Sequence, residues 1–385
     1  MKNIAVITGT RAEFGLLRPL IDQLKKSDAF KLQLIVSAMH LSPEFGNTVQ
    51  EIEDGGYTIA KKVECLLSSD TATGITKSIG LAMIGFADAM EELRPDIVVI
   101  LGDRSEMLAA ATAAMIANIP IAHIHGGETT EGAYDEGIRH AITKMSYWHF
   151  ASTTIYRNRI TQLGEDPDRV FDVGAIGLDS IKNLNLLNRE DFEKSIDFEL
   201  GKKNILITFH PVTLENDLAE KQFAEILNAL RSLKETHLIF THANADKNGR
   251  IINKMITEFV SENKENAIAF KSLGQLRYLS SLQYMDVVLG NSSSGILEVP
   301  SFNIPTINIG DRQKGRVMAE SIINISPEKE QIKEALTMAF SSSFAHKIEN
   351  QKQIYGNGTA ALKIIEVLSG PYPKDLKKVF YDFKF

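Results

Sequence analysis

The sequence is poor in cysteine, in positive charge and in unbroken apolar runs. Cys65 is the only cysteine among 385 residues, which excludes an internal disulfide and any zinc cluster built on thiolates, and fits a reducing, cytoplasmic setting. With 49 acidic residues against 42 basic ones the formal charge is −7. The chain therefore has no general attraction for nucleic acid or an anionic membrane, and an anionic ligand must be held by local groups. The opening MKNIAVITGTRAE reaches Arg11 and Glu13 before it accumulates the apolar core of a signal peptide. The longest uncharged run, MLAAATAAMIANIPIAHI (107–124), nears membrane-spanning length, but it is Ala-rich and broken by Asn118 and Pro120. It reads as a helix followed by a buried strand.

What the sequence does contain is a repeated alternation. NIAVITG precedes a helix expected from about Phe14, followed by KLQLIVS; DIVVILG precedes one from about Ser105; IPIAHIH precedes one from about Asp135. After a polar stretch near KNLNLLNREDFEKS the pattern restarts with NILITFH, HLIFTHA, NAIAF, DVVLG and IPTINIG, each expected to lead into a helical segment. Strands apolar on both faces that alternate with helices imply parallel sheets covered on both sides. A chain of this length favours two such domains over one. The expected fold class is α/β, with two Rossmann-like, doubly wound domains: residues 1–180, then 181–368, with an aromatic and basic tail, 369–385, packing back on the first domain.

In open parallel sheets ligands gather beyond the carboxyl ends of the strands. The residues there are Arg11, Asp103 and Arg104, Glu128, His210, Asn244 and the NSSSG run, and a cleft between two such domains would collect them. GTRAEFG (9–15) is neither a G-x-G-x-x-G fingerprint nor a P-loop. Arg11 at that turn either reaches a phosphate or closes a helix start at the surface. GNSSSGILEVPS (290–301) misses the nucleophile elbow because position 294 is serine where glycine is required. It offers small residues, hydroxyls and backbone N–H groups, a seat for a diphosphate at Ser293 and Ser294, unless Ser294 simply caps a short helix. Glu298, one turn on, suits ribose hydroxyls. GDRQKGR adds Arg312, Lys314 and Arg316, either a solvated basic loop or part of the same anion site.

HIHGGETTEGAYDEGIRH (123–140) is dense in acidic groups. His123 and His125 alternate along a strand and so point the same way, with Glu128 nearby, as a metal site would need; buried, hydrogen-bonded histidines are the commoner arrangement, and no metal is expected. Asp103, Glu128 and Asp135, from adjacent strand ends and a helix start, are placed to converge. Carboxylates crowded in this way have their proton affinities pushed apart, giving one base and one acid. Glu131 and Glu136 read as solvated, and Asp135 also suits the cap of the helix carrying Arg139 and His140.

TGTRAEFG, SAMHLSPEFG, LGDR, HIHGGET, YDEGIRHAITKMS, TFHPVT, GNSSSGILEVPS and INIGDRQKGR, in this order and at these distances, resemble the hydrolysing UDP-N-acetylglucosamine 2-epimerases of sialic and legionaminic acid biosynthesis. The resemblance runs to about residue 370. It implies a glycosyltransferase-B-like fold with the active site in the interdomain cleft. It also implies acid–base roles for Asp103, Glu128 and Asp135, and contacts to a UDP-sugar from Arg11, Arg104, His210, Asn244, Ser293, Ser294, Glu298 and Arg316. The reaction it implies converts UDP-N-acetylglucosamine and water to N-acetylmannosamine and UDP through 2-acetamidoglucal, with no cofactor. Two other substrates or chemistries stay open at this point: the same reaction on UDP-2,4-diacetamido-2,4,6-trideoxyglucose, and a UDP-sugar transferase of the same fold. The expected partner is the nucleotide sugar, not nucleic acid or membrane, in a homo-oligomer of two or four copies.

Overall fold

The computed structural model of the chain describes residues 1–67, 69, 71–129, 134–211, 218–243, 249–373 and 375–383. It divides into two compact units: 1–129 with 134–182 and 355–385, and 130–133 with 183–354.

In the first unit seven strands form one parallel sheet: β1 (Lys2–Thr8), β2 (Phe30–Ser37), β3 (Ile59–Val63), β4 (Ile97–Leu101), β5 (Ile121–Ile124), β6 (Trp148–Ala151) and β7 (Val170–Asp172), in the order β3-β2-β1-β4-β5-β6-β7. The alternation of side chains along β1 shows how both faces are covered. Ile4 and Val6 join a core with Leu17, Leu20 and Ile21, whereas Ala5 and Ile7 join Phe86, Met107 and Ala110 on the opposite face. The helix Arg11–Lys26 starts at Thr10, whose side chain accepts the Glu13 N–H at 3.2 Å, and ends on Lys25 and Lys26, which suit the negative end of its dipole. It therefore begins three residues earlier than Phe14. The run 107–124 divides as its composition suggests into the helix Ser105–Ile116 and β5. Trp148, on β6, is buried and packs at a steep angle on Tyr147, with ring centroids 4.9 Å apart.

The second unit carries a six-stranded parallel sheet: β8 (Lys203–Thr208), β9 (Thr236–Thr241), β10 (Ala267–Phe270), β11 (Val287–Gly290), β12 (Thr306–Ile309) and β13 (Ile322–Ile325), ordered β10-β9-β8-β11-β12-β13. One face packs Ile205, Ile207 and Phe240 against Phe223, Ile256 and Leu336 of three covering helices. IPTINIG departs from the expected alternation: β12 leads through a turn-rich loop into β13, and the next helix begins only at Lys329.

The helix Ala360–Ser369, expected in the second domain, belongs to the first unit. Its apolar face, Ala360, Ala361, Ile364 and Leu368, joins the core beside Leu17 and Leu24. Asp179 fixes its start, accepting the Ala360 and Ala361 N–H groups at 2.9 and 2.7 Å. Beyond it, Tyr381 N–H bonds Gly164 O at 3.0 Å, and the Phe380 ring lies where a Cβ on Gly164, at φ +85°, would need to go. Among the described residues no helix is long and apolar enough to cross a membrane.

Candidate active site

Each sheet reverses its strand order at one point, between β1 and β4 in the first unit and between β8 and β11 in the second. Those are the positions where an open α/β sheet leaves a crevice for a ligand.

At the first of them Asp103 and Arg104 follow β4, and Arg139 organises what surrounds them. Arg139 sits on the helix Asp135–Met145, is almost wholly buried, ion-pairs through Nη2 with Asp103, and donates through Nη1 to the His125 carbonyl at 2.8 Å. Its position is one turn beyond Asp135. The Asp135 carboxyl is pushed above its ordinary range by burial and by the neighbouring charge of Asp103, with Arg104 and Arg139 opposing the shift. Asp103 and Asp135 thus share the Arg139 guanidinium as a neighbour, and Asp135 has that of Arg104 as well.

Glu128 joins the same network from the β5 side. It is 3 % exposed, accepts the Ser152 hydroxyl at 2.6 Å, and lies 3.4 Å from His125 Nδ1. The other ring nitrogen of His125 accepts the Ile176 N–H at 3.2 Å, which places the proton of the neutral ring on Nδ1, toward Glu128. His125 has φ +63°, a left-handed conformation that costs a non-glycine residue. It is held there by Arg139 on its carbonyl and by its own N–H on Phe150 O at 2.9 Å. β5 ends at Ile124, so the strand alternation does not extend to His125. His123 instead turns into the sheet, with Nε2 on Gly102 O at 2.8 Å and Nδ1 on Thr143 Oγ1 at 3.2 Å, and burial lowers it to about 3. The two rings do not form a paired ligand set, and no grouping of three metal-binding side chains occurs among the described residues.

Two further expectations for this segment change. Tyr134, not Asp135, occupies the cap position, and Asp135 is the first helical residue, where its charge still suits the dipole. Glu136 is only partly exposed and bonds His140 Nε2 at 3.1 Å one turn along. Glu131 lies outside the described residues, as does Asn244 in the second unit. Arg11 is exposed and ion-paired with Glu51 at 3.0 Å, so meeting a phosphate requires it to leave that partner.

At the reversal in the second unit, Gly290 has φ +137°, and a Cβ there would fall 1.9 Å from Thr208 O. Only glycine lets β11 end that close to β8. Asn291 then ties the strand ends together. Its N–H donates to Thr208 O at 3.1 Å, and its side-chain amide exchanges two 2.7 Å bonds with the backbone of His210. Its carbonyl accepts Arg312 Nη1 at 2.9 Å and Gln313 Nε2 at 2.8 Å. His210 is lowered to about 4 by burial and by the positive charge of Arg312, so its ring is neutral near pH 7.

Ser292 rather than Ser294 caps the one-turn helix Ser293–Leu297. The Ser294 hydroxyl bonds Glu298 and Tyr278, meeting the one-turn spacing to Glu298, whose carboxyl burial pushes up. Arg316 lines a polar cavity of about 590 Å³ beside Asn308, Gly310, Asp311, Lys314 and Asn324. Arg312 is therefore the basic residue of GDRQKGR that stands with His210 and Asn291. Composition could not separate it from Lys314 and Arg316; the contacts of its guanidinium do.

A family model described as UDP-N-acetylglucosamine 2-epimerase matches residues 22–369. The GDP/UDP-N,N'-diacetylbacillosamine 2-epimerase (hydrolyzing) of Campylobacter jejuni is 46 % identical over 84 % of this chain and 84 % of its own length. The UDP-N,N'-diacetylbacillosamine 2-epimerase (hydrolyzing) of Legionella pneumophila is 35 % identical over 96 % of each. In fold, the chain is similar to the crystal structure of UDP-GlcNAc 2-epimerase from Neisseria meningitidis bound to UDP-GlcNAc, with a TM-score of 0.82 and 22 % identity over 96 % of this chain and 99 % of that one. Two parallel-sheet α/β units with this likeness make the fold glycosyltransferase-B-like. With a model match across most of its length and relatives well above 30 % identity, the chain belongs to the UDP-N-acetylglucosamine 2-epimerase family.

Proposed function

We propose that the protein is a hydrolysing UDP-N-acetylglucosamine 2-epimerase, releasing N-acetylmannosamine and UDP from UDP-N-acetylglucosamine and water. The observation that carries this reading is the carboxyl network of the first unit, with Asp103 ion-paired to Arg139, Asp135 raised beside it, and Glu128 anchored by Ser152 and His125. Inversion at the second sugar carbon needs a proton removed from one face and another delivered to the opposite face. A single carboxyl cannot do both.

The proton at that carbon is poorly acidic, so departure of UDP must lead. In this reading Arg11, Arg104, His210, Arg316 and the backbone at Ser293 and Ser294 hold the developing diphosphate charge and the nucleotide, Glu298 meets the ribose, and Arg312 reinforces the seat. Preorganised donors of this kind contribute roughly 3 kcal/mol each. Asn244 completes the set carried over from the family. One carboxylate then removes the proton to leave 2-acetamidoglucal. Water adds at the anomeric carbon while a carboxylic acid protonates the second carbon, and Asp135, with its raised proton affinity, suits that donor role. The reading extends to a cytoplasmic enzyme assembled from two or four copies, supported by the lone cysteine and by the prevalence of closed symmetric oligomers.

The test is incubation with UDP-N-acetylglucosamine in deuterated water, followed by NMR. Solvent deuterium at the second carbon of free N-acetylmannosamine is expected; UDP release that requires an acceptor sugar, with no deuterium at that carbon, would instead establish a transferase. Asp103→Asn and Glu128→Gln should each slow UDP release by about a hundredfold or more while UDP affinity persists. A second reading, the same chemistry on UDP-N,N'-diacetylbacillosamine, is favoured by the names of the 46 % and 35 % identical relatives. Comparing kcat/KM on the two sugars decides between them.

A further inference from the structure

The chemistry above leaves unused a second carboxyl pair, at the end of β1. Glu13 and Glu106 are buried, 6 % and 4 % exposed, and press on Gly9 from two sides. Glu13 Oε2 accepts the Gly9 N–H at 2.7 Å, and a Cβ on Gly9 would fall 2.3 Å from Glu106 Oε1. Glu106 is well supplied with donors: Arg104 Nε at 2.6 Å on Oε1, and the Ser105 hydroxyl at 3.3 Å on Oε2. Among the described residues Glu13 Oε1 has no hydrogen-bond partner although it is buried. Among the described residues the other titratable neighbours, His40 and Cys65, supply no further positive charge near neutral pH. His40 is lowered to about 4, chiefly by burial, and holds Thr8 and Thr48 through its two ring nitrogens at 3.1 and 2.8 Å. The Cys65 thiol is pushed up to about 11, also chiefly by burial. Beyond Arg104 lies Asp135, close enough for each to alter the other's proton affinity.

Two buried carboxylates facing one guanidinium leave one negative charge uncompensated if both ionise, and a bare carboxylate oxygen in such a place is relieved by a proton. We propose that Glu13 and Glu106 form a proton-holding pair that positions Arg104 for its contact with the UDP-sugar, Glu106 as the anionic anchor and Glu13 as its protonated neighbour. The inference rests on reading Arg104 as a substrate contact. Both glutamates are positioning residues, since they act through Arg104. Burial and the charge of Glu106 push the Glu13 carboxyl from its ordinary 4.5 to about 8. Above that pH a second anion competes for Arg104 and draws the guanidinium back from Asp135.

The experiment compares the full-length wild type, Glu13→Gln, Glu106→Gln and the double variant. KM and kcat are measured against pH with both UDP-sugars, and thermal unfolding is followed across the same range. Glu106→Gln should raise KM about tenfold or more, with a smaller change in kcat, because Arg104 loses a charge-assisted bond. It should also erase the inflection near pH 8, since Glu13 then ionises as the counter-ion of Arg104. Glu13→Gln should move the alkaline fall in activity upward. A raised folded-state pKa means that wild-type stability from this group is complete below 4.5 and lost as pH rises through about 8. Glu13→Gln should lack that decline. Equal rises in KM for the two single variants, or a Glu13→Gln unfolding profile that follows the wild type through this range, would overturn the proposal. Absence of UDP release by the wild type from either sugar would refute the substrate reading instead, and the unfolding comparison would still decide whether Glu13 holds a proton.

Discussion

Asn291 makes five hydrogen bonds through backbone and side chain, and they connect Thr208, His210, Arg312 and Gln313. Its amide must both donate and accept to match the His210 backbone, so neither alanine nor aspartate can replace it. Asn291→Ala should weaken UDP binding about tenfold or more by calorimetry, by releasing His210 and Arg312 together. Residues of this kind are the ones sequence reasoning passes over. Asp103 and Asp135 were legible because strand ends and helix starts have recognisable grammar, and that grammar puts carboxyl groups at one place. Asn291 has no signature of its own in the NSSSG run, because its work is done by a side chain folding back on a strand end more than 80 positions away. Arg139 was visible one turn from Asp135, yet only the fold could show that it faces both Asp103 and the His125 carbonyl.

Elements were easier to read than their edges. Strands buried on both faces announce themselves as apolar runs, which is why the sheet centres, β1, β4, β8 and β11, stood out. β3, β7 and β13 are edge strands: IAKKV carries two lysines, VFD is three residues long, and IINI is only partly buried. WHFA in β6 is too short to show a period. Amphipathicity reports that a face of the helix Ala360–Ser369 is buried, not against what, so the sequence does not tell which unit the helix joins. Its anchor is a single carboxylate, Asp179, supplying both acceptors to its first two N–H groups. Asp179→Ala should lower the stability of the first unit by about 1–3 kcal/mol in urea unfolding, the cost of two stranded donors. An unchanged midpoint and slope would show that water serves the helix end equally well.

At the scale of the molecule, the final residues act on the first unit through Glu165. That carboxylate is fully buried and bonds Lys144 at 2.5 Å, Lys378 at 2.6 Å and His149 at 3.0 Å, while Lys378 also bonds the carbonyls of Lys144 and Ser146. Burial alone would raise Glu165; the three donors outweigh it and hold it down to about 2. A depressed folded-state pKa gives stability that is complete above the ordinary 4.5 and lost as pH falls toward 2. Lys378→Met should shift that acid loss to higher pH and cost about 1–3 kcal/mol near neutrality, read from unfolding curves collected across the acid range. A variant with the wild-type acid profile would mean that Lys144 and His149 suffice.

The chain has one tryptophan, and it is Trp148, inside β6 of the first unit. Indole emission therefore senses the melting of one sheet and is blind to the other. Set against far-ultraviolet ellipticity, which counts peptide groups everywhere, it gives a built-in optical reporter of whether the halves come apart in one step or in sequence.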